Sequence, residues 1–472
     1  MPTSTLAAPV AAPVVALPAH GLLLLLLQAG LLLLVALVLG RLAARAHLPA
    51  VAGELCAGVL LGPTVLGHLS PALFDRLLPA SATQFHLLDA VGQFGVILLV
   101  GVTGMEVDLA LVRRRRGSTL SIATAGLLLP LLLGIGLGSV LPASLIPHST
   151  SRPVFALFLG VALCVSAMPV IAKTLADMNL THRNVGQLVL AAAMVDDVVG
   201  WLLLSVVSAI AVGTNRAGSI LWSIGSTVIV VTVVRVLGGP LVRRVMARFE
   251  RRGDDAGTIS ASVVIMLLGA AAAQALHLEA MFGAFLAGLL IGVCAPGVLA
   301  RLAPLRQVVL AVLAPLFFAT AGLRIDLTLL RSPVVLGTAL LVLAAAVLGK
   351  LGGVYLGSRG GRLGPWETLA VGAGLNSRGV IQIVIATAGL SLGVLTTATF
   401  TIVILVAITT SVMAAPLLRV AMQHIEHTAE EELRLSERLL PEPTDSAAGR
   451  TATSTADHSA DSTADRSVSR GA

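Results

Sequence analysis

Residues 191–204 read AAAMVDDVVGWLLL, and this stretch decides the fold. It lies within a run of 28 mostly apolar residues, Val185 to Val212, and a helix crosses a bilayer with about 20 such residues. An aspartate at the centre of a membrane helix costs about 2.5–3.5 kcal/mol, so two adjacent ones need a function or a partner. Neighbouring residues point about 100° apart on a helix, so Asp196 and Asp197 face different surroundings. The pair predicts a cation or proton site; a buried structural salt bridge is the simpler alternative.

The composition is that of a polytopic membrane protein. The chain has 472 residues, of which 56% are hydrophobic and 12% charged, and its mean hydropathy is +0.96. Soluble globular proteins do not have this composition. The net charge of +7 comes from arginines spread between apolar runs, a pattern that does not indicate a nucleic-acid partner. The three cysteines lie in apolar segments without metal-ligand spacing, so neither a disulfide framework nor a cofactor is predicted.

Only two of the 31 basic residues are lysines, and both lie in or beside predicted membrane segments. Lys350 is deep within the apolar run 333–356. An ammonium group at that depth needs an anionic partner or a water-filled cavity, although a long lysine can also extend its head group to the interface. We predict that Lys350 pairs with Asp196. Lys173 lies either near the inner surface or close enough to the end of an interrupted helix to offset its partial charge.

The sequence predicts thirteen membrane-spanning segments, at residues 21–40, 49–67, 86–106, 118–141, 153–177, 185–212, 218–242, 258–276, 279–296, 306–322, 333–356, 366–390 and 396–418. With the N-terminus outside, the inner loops carry 16 arginines and the outer loops five, which is the asymmetry that sets orientation. We therefore expect residues 1–20 to be extracytoplasmic and residues 21–420 to form the transmembrane domain. Residues 421–472 are expected to be a polar, mostly disordered cytoplasmic tail, and no nucleotide-binding regulatory domain is predicted.

Two segments have features of helices interrupted near the middle of the membrane. The fifth contains Ser166 and Pro169, and proline removes a helix donor and clashes one turn back. The twelfth contains glycines, a charge and polar groups within residues 372–379, GAGLNSRG. The two segments are seven apart, so their topologies are inverted, and paired interrupted helices point to a transporter binding site. Two ordinary kinked helices are the alternative.

The order and spacing of five pieces carry a resemblance to a known family. These pieces are Pro49–Pro63, Gly92–Leu109, Val165–Leu204, Pro315–Leu323 and Asn376–Gly379. Over about residues 20–420 the chain resembles the monovalent cation:proton antiporter-2 superfamily. The resemblance implies an all-α membrane fold of about thirteen helices, built as an inverted repeat with two crossed broken helices. It also implies a moving core domain, a dimerisation domain, a homodimer, and a secondary transporter rather than an enzyme.

The resemblance also assigns roles to residues. It makes Asp197 the ion-binding and proton-exchanging carboxylate, Asp196 the partner of Lys350, and Ser166 a group that lines the cation site. Ala167 and Met168 stand where some relatives have a further aspartate, so the coordination shell departs from theirs. In the interrupted helices Pro169, Asn376 and Gly379 are the structural elements. Arg378 and Lys173 are expected to offset the partial charges at the half-helix ends, about half a charge each.

These expectations combine into a cation/proton antiporter of a bacterial plasma membrane. Na⁺ or K⁺ competes with H⁺ for Asp197, and the Lys350–Asp196 pair breaks when the cation arrives, which releases a second proton. A carrier for organic or drug-like substrates, a channel, and a non-transporting membrane sensor are the alternatives. Three further acids have no settled role: Glu54 within the second segment, and Glu106 and Asp108 at the inner end of the third.

Overall fold

A computed structural model describes residues 19–46, 48–78, 82–107, 116–212, 225, 232, 236, 238–276, 278–361, 363–428 and 431. Within these residues every regular element is helical, as long apolar runs require when backbone groups must pair without water. The chain forms one large unit, residues 1–181 and 185–425, and a small one, residues 182–184 and 426–472. Asp108 lies outside the described residues.

The described helices of the first half are short around the second segment and at the first interruption, and long elsewhere. They are α1 (Ala19–Arg45), α2 (Ala50–Leu61), α3 (Leu66–Leu69), α4 (Pro71–Leu77), α5 (Ala82–Met105), α6 (Arg116–Val140), α7 (Arg152–Cys164), α8 (Met168–Asp177) and α9 (Asn184–Val212). A single 3₁₀ turn, Ala143–Leu145, precedes α7. Asp196 and Asp197 lie near the middle of α9.

From Gly239 onwards the structure gives bounds for nine α-helices, some of them joined by short 3₁₀ or π turns. They are α10 (Gly239–Arg252), α11 (Asp255–Ala275), α12 (Ala280–Cys294), α13 (Ala303–Val308), α14 (Ala314–Gly322), α15 (Pro333–Ser358), α16 (Pro365–Leu375), α17 (Val380–Ser391) and α18 (Thr397–Met422). The 3₁₀ turns are Pro296–Leu302, Leu327–Arg331 and Arg359–Gly361, and a π turn, Val309–Leu313, joins α13 to α14.

Nine spans within the described residues are long and apolar enough to cross a membrane, and α16 with α17 makes a tenth, bent by 44°. The shorter apolar helices α7 and α12 add to this set. The predicted count of thirteen stays a prediction, because most of the seventh segment, 218–242, lies outside the described residues. The predicted domain limits at 21 and 420 fall within α1 and α18.

Most of these helices pack into two groups. One contains α6, α7, α15, α16, α17 and α18; the other contains α1, α2, α5, α11, α12 and α14. Small residues allow the closest approaches: a Cβ on Gly353 of α15 would lie 2.8 Å from the Cα of Gly126 on α6. Such small-residue contacts replace the hydrophobic effect as the source of helix association in lipid.

Helix α9 contacts both groups. Its Gly200 lies against Val165, which follows α7, and its Val189 lies against Gly374 of α16. On another side, Trp201 packs on Phe285 of α12, with ring centroids 6.1 Å apart. The helix that carries the two aspartates therefore lies between the interrupted segments and the second group.

The small unit is held together by Arg183 and Glu431, which are 4% and 2% exposed. The Arg183 Nε atom lies 3.1 Å from Glu431 Oε2, and the backbone N–H of Asn184 donates to Glu431 Oε1 at 2.6 Å. Arg183 also contacts His427 and the carbonyl of Glu426. Burial raises the pKa of the Glu431 carboxyl, but the backbone N–H groups of Asn184 and Thr428 and the charge of Arg183 outweigh it, so the pKa is lowered from 4.5.

Candidate functional site

The first interruption lies between α7 and α8. Residues 165–167 are not helical, and α8 begins at Met168. Pro169 therefore stands in the first turn of the second half-helix, where its missing N–H costs no intrahelical hydrogen bond. The chain leaves the helix at Val165, four residues before Pro169, so this segment is interrupted and not merely kinked. The side chain of Pro169 is outside the described part of the structure.

The second interruption lies between α16 and α17. Asn376 follows the last residue of α16 with φ −74° and ψ −11°, and Gly379 immediately precedes α17. A Cβ on Gly379 would lie 2.5 Å from the Cγ2 of Val170 on α8, so glycine allows α8 and α17 to approach closely.

The two interruptions meet. The backbone N–H of Ala167 donates to the Ser377 carbonyl at 3.1 Å, and the Ser166 hydroxyl lies 2.7 Å from the Leu375 carbonyl. Four half-helices therefore end or begin at one buried place. Their exposed backbone donors and acceptors give that place fixed partial charges.

Asp196 lies at this meeting point and contacts a lysine. Lys350 Nζ is 2.5 Å from Asp196 Oδ2, and both side chains are 0% exposed. The same ammonium group donates to the Cys164 carbonyl at 3.0 Å. The Ser166 hydroxyl lies 2.7 Å from Asp196 Oδ2, so Ser166 shares its single proton between this carboxylate and the Leu375 carbonyl. Asp196 is thus held by α15 and by the first interruption.

Asp197 has much less support. The backbone N–H of Met168 donates to its Oδ1 at 3.4 Å, while its Oδ2 has no hydrogen-bond partner and the residue is 0% exposed. The Oδ1 of Asp196 and the Oδ1 of Asn376 are also buried without partners. Buried polar atoms normally have partners, so each of these three oxygens is free to accept a hydrogen bond or to coordinate a cation.

Arg378 is a buried charge at the second interruption, 1% exposed. Its Nη2 donates to the Ala346 carbonyl of α15 at 3.1 Å, while Nε and Nη1 have no hydrogen-bond partner. The residue follows the C-terminal end of α16, where a positive charge offsets the carbonyl dipoles. It also lines a pocket with Pro49, which immediately precedes α2, Leu55 of α2 and Ser411 of α18. Lys173, in contrast, is exposed on α8.

Sequence reasoning expected backbone carbonyls of the unwound segments at the site but did not identify which backbone groups take part. The Cys164 carbonyl, the Met168 N–H and the Leu375 carbonyl leave no side-chain signal. Two acids without an assigned role lie away from this site. Glu106 forms an ion pair with Arg306. Glu54 is on α2, and its side chain packs against Gly40 of α1.

Comparisons with known proteins agree with this architecture. A family described as the transmembrane sodium/hydrogen exchanger matches residues 30–423. The Na(+)/H(+) antiporter NhaS4 of Synechocystis is 32% identical over 399 residues, which is 84% of this chain and 96% of that protein. The Cation/H(+) antiporter 18 of Arabidopsis thaliana is 30% identical over 83% of this chain, which spans about half (48%) of that longer relative.

A solved structure shows the same fold. The sodium proton antiporter MjNhaP1 of Methanocaldococcus jannaschii superposes with a TM-score of 0.61 at 15% identity, over 85% of this chain and 99% of that one. The predicted all-α antiporter fold with two interrupted helices is therefore confirmed, and so is the resemblance on which it partly rested. This chain belongs to the sodium/hydrogen exchanger family, whose members are multi-pass membrane transporters and not enzymes.

Proposed function

We propose that this protein exchanges a monovalent cation, Na⁺ or K⁺, for H⁺, and that the two compete for Asp197. One observation carries the proposal: Asp197 Oδ2 is fully buried and has no hydrogen-bond partner, at the place where two interrupted helices meet. The oxygens of Asp196, Asn376 and Ser166 complete the ligand set. The names of the two relatives, a Na(+)/H(+) antiporter and a cation/H(+) antiporter, support the same ion class.

Obligatory exchange follows from the cost of a bare buried charge. An unpaired ion inside a protein loses several kcal/mol of solvation, and each 1.4 kcal/mol is a factor of ten in population. An Asp197 carboxylate that carries neither ion nor proton is therefore strongly disfavoured in the closed site. The site crosses the membrane loaded with one or the other, which couples the two fluxes.

The Lys350–Asp196 pair gives the cycle a second charge. When a cation binds between Asp197 and Asp196, it competes with the ammonium group for the Asp196 carboxylate. Lys350 then keeps its contact with the Cys164 carbonyl, for which a neutral amine is a sufficient donor, and its proton leaves. This step predicts two protons per cation, with the two carboxylates and the lysine titrating as one coupled group.

The same proposal includes the membrane, the orientation and the oligomeric state in which this cycle runs. The distribution of arginines favours a plasma-membrane protein with its N-terminus outside and its C-terminus in the cytoplasm. The resemblance to the antiporter superfamily supports a homodimer in lipid.

The test is exchange in liposomes that contain a pH-sensitive dye. A pH gradient is imposed, Na⁺, K⁺ or Li⁺ is added, and the wild type is compared with Asp197→Asn and Asp196→Asn. We expect cation-dependent dissipation in the wild type and none in Asp197→Asn. Glu106→Gln, an acid outside the site, is the matched control and keeps exchange.

Asp196→Asn tests the stoichiometry. It is expected to keep exchange but to lose the response to membrane potential, because Lys350 no longer carries a proton through the cycle. A wild type that responds to no alkali cation would refute the antiport proposal and direct the search to organic substrates. Full exchange in Asp197→Asn would refute the assignment of the carboxylate.

A further inference from the structure

A stripe of buried side chains extends along α9 from Asp197 towards its C-terminal end. Asp197, Trp201, Ser205 and Ser208 are spaced by four, four and three residues, which places them on one face of the helix. They are between 0% and 4% exposed. At 1.5 Å per residue, Ser205 is about 12 Å from Asp197 along the axis. Serines so far from the aspartates take no part in the site described above.

Glu279 faces the far end of this stripe. It immediately precedes α12, but its side chain makes no hydrogen bond that caps that helix. Its backbone N–H donates to the Ser205 hydroxyl at 3.4 Å, and its carboxylate interacts with the Ser208 hydroxyl. Within the described residues no arginine or lysine forms an ion pair with it.

One polar atom of the stripe, the Ser208 hydroxyl, is buried and makes no hydrogen bond of normal length and angle within the described residues. Unsatisfied buried polar atoms are uncommon and mark places where a ligand can complete the bonding. A carboxylate with two hydroxyls is an oxygen set for a monovalent cation or a proton.

An aromatic contact lies between this cluster and Asp197. Trp201 is one turn from Asp197, and its ring packs on Phe285 of α12 with an interplanar angle of 33°. These two buried rings lie on the stripe between the serine cluster and Asp197. A shift of α9 against α12 would part these rings.

We propose that Glu279, Ser205 and Ser208 form a second site for the transported cation, which loads from the membrane face at which α9 ends and is separated from Asp197 by the Trp201–Phe285 contact. The inference rests on the proposed antiport function. A site with one carboxylate binds weakly enough to pass its ion on, as ion pathways require.

The test compares the two faces of the membrane. Protein is reconstituted into liposomes, and its orientation is determined by labelling a cysteine that is introduced outside the membrane-spanning helices. The apparent Km for Na⁺ and for K⁺ is then measured from each side for the wild type, Glu279→Gln and the double variant Ser205→Ala/Ser208→Ala. Glu250→Gln, an exposed acid on α10, is the control.

Glu279→Gln is expected to raise the apparent Km about tenfold on the face where α9 ends, the scale of losing one charged ligand, with little change on the other face. The serine variant is expected to raise the apparent Km on the same face by a smaller factor. Glu279→Asp is expected to keep an apparent Km close to that of the wild type. Equal effects on both faces, including equal loss of exchange, would assign Glu279 to packing and overturn the inference. Unchanged values would overturn it too. A wild type without exchange would refute both proposals, whereas exchange with no sidedness refutes only this one.

Discussion

Removal of one partner of the Lys350–Asp196 pair is expected to destabilise the protein strongly. Both side chains are 0% exposed and their charged atoms are 2.5 Å apart. Breaking a buried pair from one side costs about 3–5 kcal/mol, because the remaining charge stays buried. For Lys350→Gln the remaining support of Asp196 is the Ser166 hydroxyl. At about 2 °C per kcal/mol, the value for larger domains, the melting temperature falls by roughly 6–10 °C.

The assay is a double-mutant cycle read by thermal unfolding in detergent. Lys350→Gln, Asp196→Asn and the double variant are compared with the wild type, and the coupling energy is the departure from additivity. The double variant, which buries two neutral hydrogen-bonding groups, is expected to lie close to the milder of the single variants.

The ion pair of Glu106 with Arg306 is the control, since these side chains are 32% and 57% exposed. Exposed pairs contribute about 0.2–1 kcal/mol, so Glu106→Gln is expected to move the melting temperature by less than about 2 °C. The reasoning that the pair is closed and buried would be refuted if the Lys350 and Asp196 substitutions had additive effects on stability. It would also be refuted if each single variant lowered the melting temperature by no more than Glu106→Gln does.

Three further predictions concern close approaches and the small unit. Gly353→Ala, whose added Cβ would meet the backbone of α6, is expected to lose about 1–3 kcal/mol, whereas Gly337→Ala on the same helix has no atom within 4 Å and keeps the wild-type melting temperature. Gly379→Ala is expected to lower the exchange rate while the protein stays folded, because the two interruptions must separate; an unchanged rate in the dye assay would contradict this. The lowered pKa of Glu431 means that its contacts stabilise the small unit fully above pH 4.5 and weaken as the pH falls through the lower folded value. Hydrogen exchange at the Asn184 amide measures this loss, and Glu431→Gln removes the protection at every pH while Glu426→Gln, with an exposed side chain, retains it.

The sequence was most informative where the physics of lipid leaves few choices. Long apolar runs must be helical, because no water is present to pair with backbone groups. Lys350 has few anions within reach at its depth, which is why Asp196 was the expected partner. The position of the first interruption was harder to predict, because Pro169 is compatible with both the interior of a kinked helix and the first turn of a new one.

Contacts between distant parts of the chain were not predictable from one sequence. The Cys164 carbonyl and the Met168 N–H are hydrogen-bond partners of Lys350 and Asp197 only because the interruption turns them towards α15 and α9. Glu279 had no sequence signal at all, since its serine partners are more than 70 residues away and belong to another helix. Their shared face on α9 is periodic, but the same spacing is typical of ordinary helix packing.

The neighbouring aspartates of α9 are supported by different parts of the protein. Asp196 contacts Lys350 of α15, whereas Asp197 contacts the start of α8. Aspartate and asparagine codons differ by one base, so in the proposed cycle a single mutation at position 196 would change the charge moved and leave Asp197 in place. On that proposal, a lineage with this architecture has a short evolutionary path between voltage-driven and electroneutral exchange, along which ion selection need not be rebuilt.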